Sequence, residues 1–582
     1  MNLILNSLVH RKNGNILLRQ VLTSPMSVLV CLYLIFVLPI FVDNNAGIGL
    51  CLPQNILAWG VMVLCSIIAI VKIIRNGNVS VARFMVASAI GVICLLLPWL
   101  WTPSSLWQQH ALPRMAGIVG SLLFIFALCQ ERMTPTLRRG ILYAVMVSAL
   151  VQSAEAMIQA WFPVYALKIL SFSGYFPYGI FQQRNVLASW LATGCGVALY
   201  LALTARTRSL TLICLLSLYP LSTALVLTQS RVGLLGLFCV IVLAALADRP
   251  RWRGRPLSGL LRLIFVASLL CWCVGISNYA MPGETTADFT HSSSNDQRIR
   301  MLKGAMSLIQ QRPLTGWGLG SFEATFPQAL EDAGVTSIES DTVTHPHNEL
   351  LFVTAEGGIV ALFGFLLLSG VWLWPCICRL KMTNNNAHHQ CGKWFIALMG
   401  LPLVIHMMTE YPLYLSAPHL MLLLLLFRIG IPENVLNHVG IPKTVRLGIL
   451  PVIVLIMTAA LVILVAGFDA QRELTRAEAD MNEGFIPRLP EYSWKYLTQA
   501  ERLERDQHLL IANKPGFVRD TESMSLFTVW GNKWLVIHND ADVSAAMIFI
   551  AHRRGDYLTA EKIRKQAARV FVNDERFTSG GN

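Results

Sequence analysis

Thirteen predominantly apolar runs, each 15 to 22 residues long, recur along the 582-residue chain. They lie near 26–42, 56–74, 84–101, 115–130, 140–161, 187–204, 210–228, 232–247, 263–277, 357–378, 394–409, 413–429 and 447–467. A helix crossing the hydrocarbon core of a bilayer needs about 20 such residues, and only helices and closed barrels satisfy their backbone polar groups there. The expected fold class is an all-α polytopic integral membrane protein with about 13 transmembrane helices. The runs at 232–247 and 394–409 are short enough to be tilted or partly re-entrant. Composition agrees, with 54% hydrophobic and 14% charged residues against about 25% charged in soluble domains. The first run is followed by twelve more and reads as an anchor, not a cleaved signal peptide.

Lysine and arginine distribute unevenly between alternate loops, which sets orientation. The loops from Arg11, Lys12 and Arg19 through to Arg428, Lys443 and Arg446 hold 22 of the 46. The opposite loops hold eight, including Arg114, Arg184, Arg231, Arg298 and Arg300, and the tail after Phe468 holds the other 16. The N-terminus is therefore expected in the cytoplasm and the tail on the far side. The net charge of +13 reports topology, and nucleic-acid binding is not needed to explain it. Most of the 13 cysteines fall inside spans as small hydrophobes, and no disulfide framework or cysteine-based metal site is indicated.

On this topology unusual polar residues collect on the outer face. A large loop, 278–347, runs into His345-Pro346-His347-Asn348-Glu349, with the next span starting at about Gly358. Imidazole exchanges protons near neutral pH, so a His beside arginines at a membrane surface suggests proton transfer next to a bound anion. Within the loop, Arg298 and Arg300 lie on a helical stretch ending near Gln311. Pro313-Leu314-Thr315-Gly316-Trp317-Gly318-Leu319-Gly320 follows, its glycines allowing a tight turn or a close approach to a ligand. The loop after span five carries Tyr175, Phe176 and Tyr178, then Gln182, Gln183, Arg184 and Asn185: either an interfacial cap or a surface for a sugar diphosphate. Arg231 suits forked phosphate binding or snorkelling to headgroups. Glu410 and Tyr411 sit in an outward turn, where Glu410 either orients a His or faces water. In span five Gln152, Glu155 and Gln159 share a face; Glu155 is a functional candidate or a protonated structural residue. His406 and His419 read as packing residues. Glu331, Asp332, Glu339 and Asp341 match no specific metal site and read as solvated acidic surface.

These pieces together resemble the bacterial O-antigen ligase and polymerase superfamily: Arg298 leading a helix, the Pro-x-x-Gly-Trp-Gly turn, and His-x-His-Asn opening the next helix. The Gly179–Ser189 segment and Glu410-Tyr411-Pro412-Leu413-Tyr414 resemble the protein O-oligosaccharyltransferases of the pilin-glycosylation type. Leu302 departs from the pattern, where the family often has Trp. The resemblance implies transfer of a preassembled glycan from undecaprenyl diphosphate to a Ser or Thr of an exported protein such as pilin, at the periplasmic face of the inner membrane. It implies His347 as general base, with His345 second choice and Asn348 or Glu349 fixing the ring. Arg231 and Arg298 are expected to match the diphosphate charge, with Arg184 and Arg300 contributing. Gln182, Gln183 and Asn185 would hold donor, and Tyr411 would orient donor or acceptor. No cofactor or metal is expected.

The tail, 469–582, reads as a soluble helical periplasmic domain after a membrane domain of 1–468, with a hairpin of Asp540–Ala551 and Leu558–Phe571. Two alternatives remain: a lipopolysaccharide O-antigen ligase or repeat-unit polymerase using the same lipid-linked donor, and a lipid-linked sugar transporter. Clustering of polar residues at one surface, with no half-to-half similarity, favours an enzyme over a transporter.

Overall fold

The computed structural model describes residues 24–170, 176–254, 268–276, 291–335, 342–380, 393–514 and 516–578. Arg11, Lys12, Arg19, Tyr175, Glu339 and Asp341, and the first part of the large loop, lie outside the described residues. Among those described, the chain is helical apart from one ladder, Asn78–Val81 antiparallel to Asn437–Gly440. Eight helices are long and apolar enough to cross a membrane: Pro53–Asn76, Arg83–Trp101, Ser105–Cys129, Pro135–Trp161, Arg184–Thr204, Arg208–Leu227, Glu349–Pro375 and Val445–Asn482. Shorter apolar helices at Pro25–Val37, Arg231–Leu243 and Ala417–Gly430 occupy three further expected runs. The run at 394–409 is instead two short helices, Lys393–Leu398 and Leu401–Met407. Pro402 in the first turn of the second cannot donate to the preceding turn, so the helix restarts there. Of 263–277 only 268–276 is described, and it is helical.

The chain forms two compact units. One comprises Met1–Val86, Gly120–Glu284 and Gly370–Phe468, the other Ala87–Val119, Thr285–Ser369 and Asp469–Asn582. In the first, the Arg184–Thr204 helix is central, buried at every residue from Val186 to Ala202. It packs against Pro135–Trp161, Leu218–Leu227, Arg231–Gly254 and Leu401–Met407. Between helices in lipid, association comes from close backbone approach over small residues. A Cβ on Gly194 would stand 2.5 Å from that of Ala149, and one on Gly233 2.5 Å from that of Ala188. Arg428, counted above as a loop charge, is fully buried. Its guanidinium donates to Glu433 at 2.7 Å and to the Leu128 and Glu131 carbonyls at 3.1 and 2.7 Å.

In the second unit, Arg83–Leu96 meets Glu349–Leu380 where a Cβ on Gly364 would fall 2.6 Å from the Gly91 carbonyl. The tail supplies Ala500–Ala512, Thr521–Trp534, Ala541–Arg553 and Tyr557–Val570. The last three are N-capped by the side chains of Asp520, Asp540 and Asp556. The final two are the expected hairpin, turned at Gly555 with φ 73°. Phe527, Trp530, Trp534, Met547 and Ile550 form their own apolar core.

Asp506 sits buried in this tail. Burial, and then the neighbouring Glu478 carboxylate, push its carboxyl up to about 7 against the pull of Arg502 and Arg505. A carboxyl raised in the folded state binds its proton more tightly there than in the unfolded chain. Its contribution therefore worsens as pH climbs from about 4 towards 7. Asp506→Asn is expected to raise the unfolding midpoint at pH 8, with the gain shrinking towards pH 4. An equal gain at both values would mean that the folded carboxyl is not protonated.

Candidate functional site

The expected site residues divide between the two units. In the second unit, Asn348 Oδ1 accepts the Leu351 N–H at 3.0 Å and so caps the helix that begins at Glu349. The helix expected from about Gly358 thus starts nine residues earlier, and Gly358, at φ 62° and ψ −156°, is a break within it. His345 is buried, and its Nδ1 accepts the His347 N–H at 3.0 Å. Its proton then lies on Nε2, 3.3 Å from Glu349 Oε2. This imidazole holds His347 at φ 55°, a left-handed conformation costing a side-chain-bearing residue about 1–2 kcal/mol. Of the two residues expected to fix the His347 ring, Asn348 caps the helix and Glu349 engages His345.

Gly316, Gly318 and Gly320 all have positive φ, at 68°, 104° and 82°. The turn they make lies along the broken helix. Trp317 N–H donates to Ala355 O at 3.0 Å, Gly318 N–H to Glu356 O at 2.8 Å, and Ile359 N–H to Pro313 O at 3.1 Å. A Cβ on Gly316 would stand 2.2 Å from the Glu356 carbonyl, and one on Gly358 2.2 Å from that of Leu314. Of the two roles open to these glycines, the tight turn holds, and the close approach is to the protein's own backbone. Glu356 completes the arrangement. Its Oε1 accepts Gly320 N–H at 3.1 Å and Phe322 N–H at 3.3 Å, and its Oε2 pairs with Arg114. Arg114, placed above in an outer loop, lies inside the Ser105–Cys129 helix.

The Arg-led helix spans His291–Gln311. Arg298 and Arg300 are half-buried and, two residues apart, point to different sides. Arg300, Asp296, Lys303 and Gly334 line an open cavity of about 430 Å³. Glu331 pairs with Arg569 at 3.1 Å, and Asp332 accepts from Gln311 and Gln328 at 3.0 and 2.9 Å.

In the first unit, the polar face of the Pro135–Trp161 helix builds the Gln182 turn. Gln159 Oε1 accepts the N–H groups of Tyr178 and Gly179 at 2.9 and 2.8 Å, and its Nε2 donates to Gly179 O at 2.9 Å. Gln152 donates to Glu155 at 2.7 Å and accepts Ile180 N–H at 3.4 Å, which gives Glu155 a partner within its own helix. Gln182 takes φ 59° and donates to Asn44. Gln183 Oε1 is buried without a hydrogen-bond partner. Arg184 stacks over Phe176 at 4.5 Å.

Glu410 is buried, not facing water. Asn185 donates to its Oε1, and His406 Nε2 lies 2.9 Å from its Oε2. His406 Nδ1 in turn stands 3.0 Å from Ser189 Oγ. His406 is therefore a hydrogen-bonded link and not mere packing, a role that a lone His in an apolar run does not signal. His419 is also bonded, its Nε2 2.9 Å from Val186 O. Burial, and then Glu410, push the Tyr411 phenol up. Arg231 opens its helix after Gln229, which has φ 51°. Its side chain is exposed and forms no ion pair among the described residues.

Residues 216–366 match the family model for O-antigen ligases, and residues 177–202 match that for protein glycosylation ligases. The first segment contains Arg231, Arg298, Arg300, the glycine turn and His345–Glu349; the second contains Gln182–Asn185. Glu410 and Tyr411 lie outside both. No curated protein matches the chain.

Gln159→Ala is expected to lower the unfolding midpoint clearly, because it strands two N–H groups and a carbonyl, each buried group costing about 1–3 kcal/mol. Gln182→Ala, in the same turn, should cost much less. Equal midpoints for the two variants would remove Gln159 from its scaffolding role.

Proposed function

With its matched segments supporting the superfamily of O-antigen ligases and protein glycosylation ligases, we propose that this chain is a membrane glycosyltransferase of the oligosaccharyltransferase type. It moves a preassembled oligosaccharide from undecaprenyl diphosphate to a Ser or Thr hydroxyl of an exported protein such as pilin. It works in the bacterial inner membrane, with its N-terminus cytoplasmic and its outer loops and tail, 469–582, periplasmic. The observation that carries the reading is the His345–His347 arrangement, within the segment matching the ligase family. The buried His345 accepts the backbone N–H of His347 and so positions the second imidazole, to which we assign the chemistry.

A Ser hydroxyl is a weak nucleophile until a base removes its proton in the transition state. His347 takes that proton as the acceptor Oγ bonds to the anomeric carbon. The bond from that carbon to the diphosphate oxygen breaks, and the electron pair leaves with lipid diphosphate. A single displacement inverts the anomeric configuration. The leaving group is acidic enough to depart unprotonated and needs only its charge matched. Arg231 and Arg298 supply that, since a guanidinium forks onto two phosphate oxygens. Arg184 and Arg300 add to the field; Gln182, Gln183 and Asn185 hold the donor end. Glu410 acts through Asn185 and His406, as a positioning residue beside Tyr411. Asn348 and Glu349 act by holding the helix start and His345. The reaction needs no divalent ion.

The test is transfer from lipid-diphosphate glycan in proteoliposomes, offered separately to a pilin-like protein and to lipid A-core. Glycan is expected on Ser or Thr of the protein. His347→Ala should slow transfer by about 10²–10⁴-fold, the usual worth of a general base. His345→Gln should retain more activity than His347→Ala, because it removes a support and not the base. Transfer to lipid A-core alone would keep the chemistry and move the acceptor to the O-antigen ligase class. Full activity in His347→Ala would remove the base assignment.

A further inference from the structure

Within the second unit the tail meets the loop and a membrane helix at four side chains. They are His110 of Ser105–Cys129, Glu323 of Phe322–Asp332, Glu501 of Ala500–Ala512, and His538 just beyond Thr521–Trp534. His538 Nδ1 lies 3.2 Å from Glu323 Oε2, and Glu323 Oε1 accepts the Asn539 N–H at 2.8 Å. A carboxylate can only accept, so Nδ1 carries a proton, and in the neutral imidazole Nε2 presents a lone pair. That Nε2 is buried and has no hydrogen-bond partner. The nearest charged group is Glu501 Oε2 at 4.0 Å, too far for a hydrogen bond and itself an acceptor. The other Glu501 oxygen stands 3.0 Å from His110 Nδ1, and the two imidazoles meet edge-on with centroids 5.0 Å apart.

Between that nitrogen and the carboxylate there is a place for a proton or for a metal cation, and the surrounding donors favour a metal. One donor atom from each of His110, Glu501 and His538 falls within 4.8 Å of the others. We infer that these three residues bind a divalent transition-metal ion of the zinc class, which fastens the tail to the Ser105–Cys129 helix. Two imidazoles and a carboxylate, with water in the fourth position, are a ligand set zinc accepts. Tetrahedral zinc with bonds of about 2.0–2.1 Å needs donors about 3.3 Å apart, so the side chains close slightly around the ion. Glu323 is the outer partner, the carboxylate that fixes the tautomer of a ligating His. The inference concerns docking of the tail: none of the residues assigned to glycan transfer belongs to the site. No spacing in the sequence flags it, because the four residues come from separate parts of the chain.

The experiment uses the full chain in detergent, without a polyhistidine tag, stripped with chelator and reloaded with zinc alone. Elemental analysis should find about one retained ion per chain, and zinc should raise the unfolding midpoint. His110→Ala and His538→Ala should lose both effects. Glu323→Gln keeps all three ligands and should weaken zinc by about 10–100-fold, the usual range for an outer partner. Cobalt loaded in place of zinc should give the intense visible bands of a tetrahedral site, reduced in Glu323→Gln, which provides a readout if an alanine variant fails to fold. Absence of retained zinc and of any zinc-dependent shift in the wild-type chain would overturn the inference. Unchanged zinc retention in His538→Ala would do the same, leaving the cluster as a hydrogen-bonded joint only.

Discussion

Non-helical backbone beside membrane helices must find its hydrogen-bond partners inside the protein, because an unsatisfied group in hydrocarbon costs several kcal/mol. This chain departs from the helix at two motif turns, and in each a polar helix side chain supplies the missing partners. Gln159 closes three bonds to the Tyr178–Gly179 peptides. Glu356 receives the N–H groups of Gly320 and Phe322, while the exposed carbonyls of the break at Gly358 receive the rest of the glycine turn. The two turns thus find their hydrogen-bond partners within the protein, one of them directly before Gln182–Asn185.

This explains which parts of the molecule could be read from its residues. Apolar length pointed to the eight helices long and apolar enough to cross a membrane, because length and hydropathy are what such a crossing requires. The 394–409 run, short enough to be tilted or partly re-entrant, is divided where Pro402 starts a new helix. The start at Glu349 was missed because a polar N-cap, Asn348, extends the helix beyond its apolar portion. Two of the scaffolding residues, Gln152 and Gln159, were visible as a polar stripe, but their partners were not, since a hydrogen bond across 20 residues leaves no periodicity. Glu356 could have been suspected, an acid in an otherwise apolar run being costly unless paired. His406 and its link to Glu410 depend on the geometry of a helix end.

The arginines divide by the same criterion. Arg428 and Arg114 are sequestered with carboxylates and carbonyls. Removing either would leave a buried charge uncompensated, which is the costly half of a buried ion pair. Counting them as loop charges overstates their value as orientation signals. Arg231 differs: it is exposed, at the first turn of its helix. A guanidinium left in that state is open to a phosphate oxygen of a ligand or of a lipid headgroup.

The backbone gives a separate argument for the same motifs. Among the described residues four non-glycines take positive φ: Ala46, Gln182, Gln229 and His347. Each carries a cost that persists only where the surroundings over-determine it, a condition common at functional sites. Ala46 and Gln182 both bond to Asn44, which makes that pair one local device. Gln229 immediately precedes Ser230 and Arg231, so its conformation aims the start of that helix. His347 is the clearest case, because the Nδ1 of a buried imidazole, His345, accepts its N–H. A helix needing only an N-cap is served by Asn348. His345 adds a second constraint on the residue before that cap, while its other ring nitrogen lies 3.3 Å from Glu349.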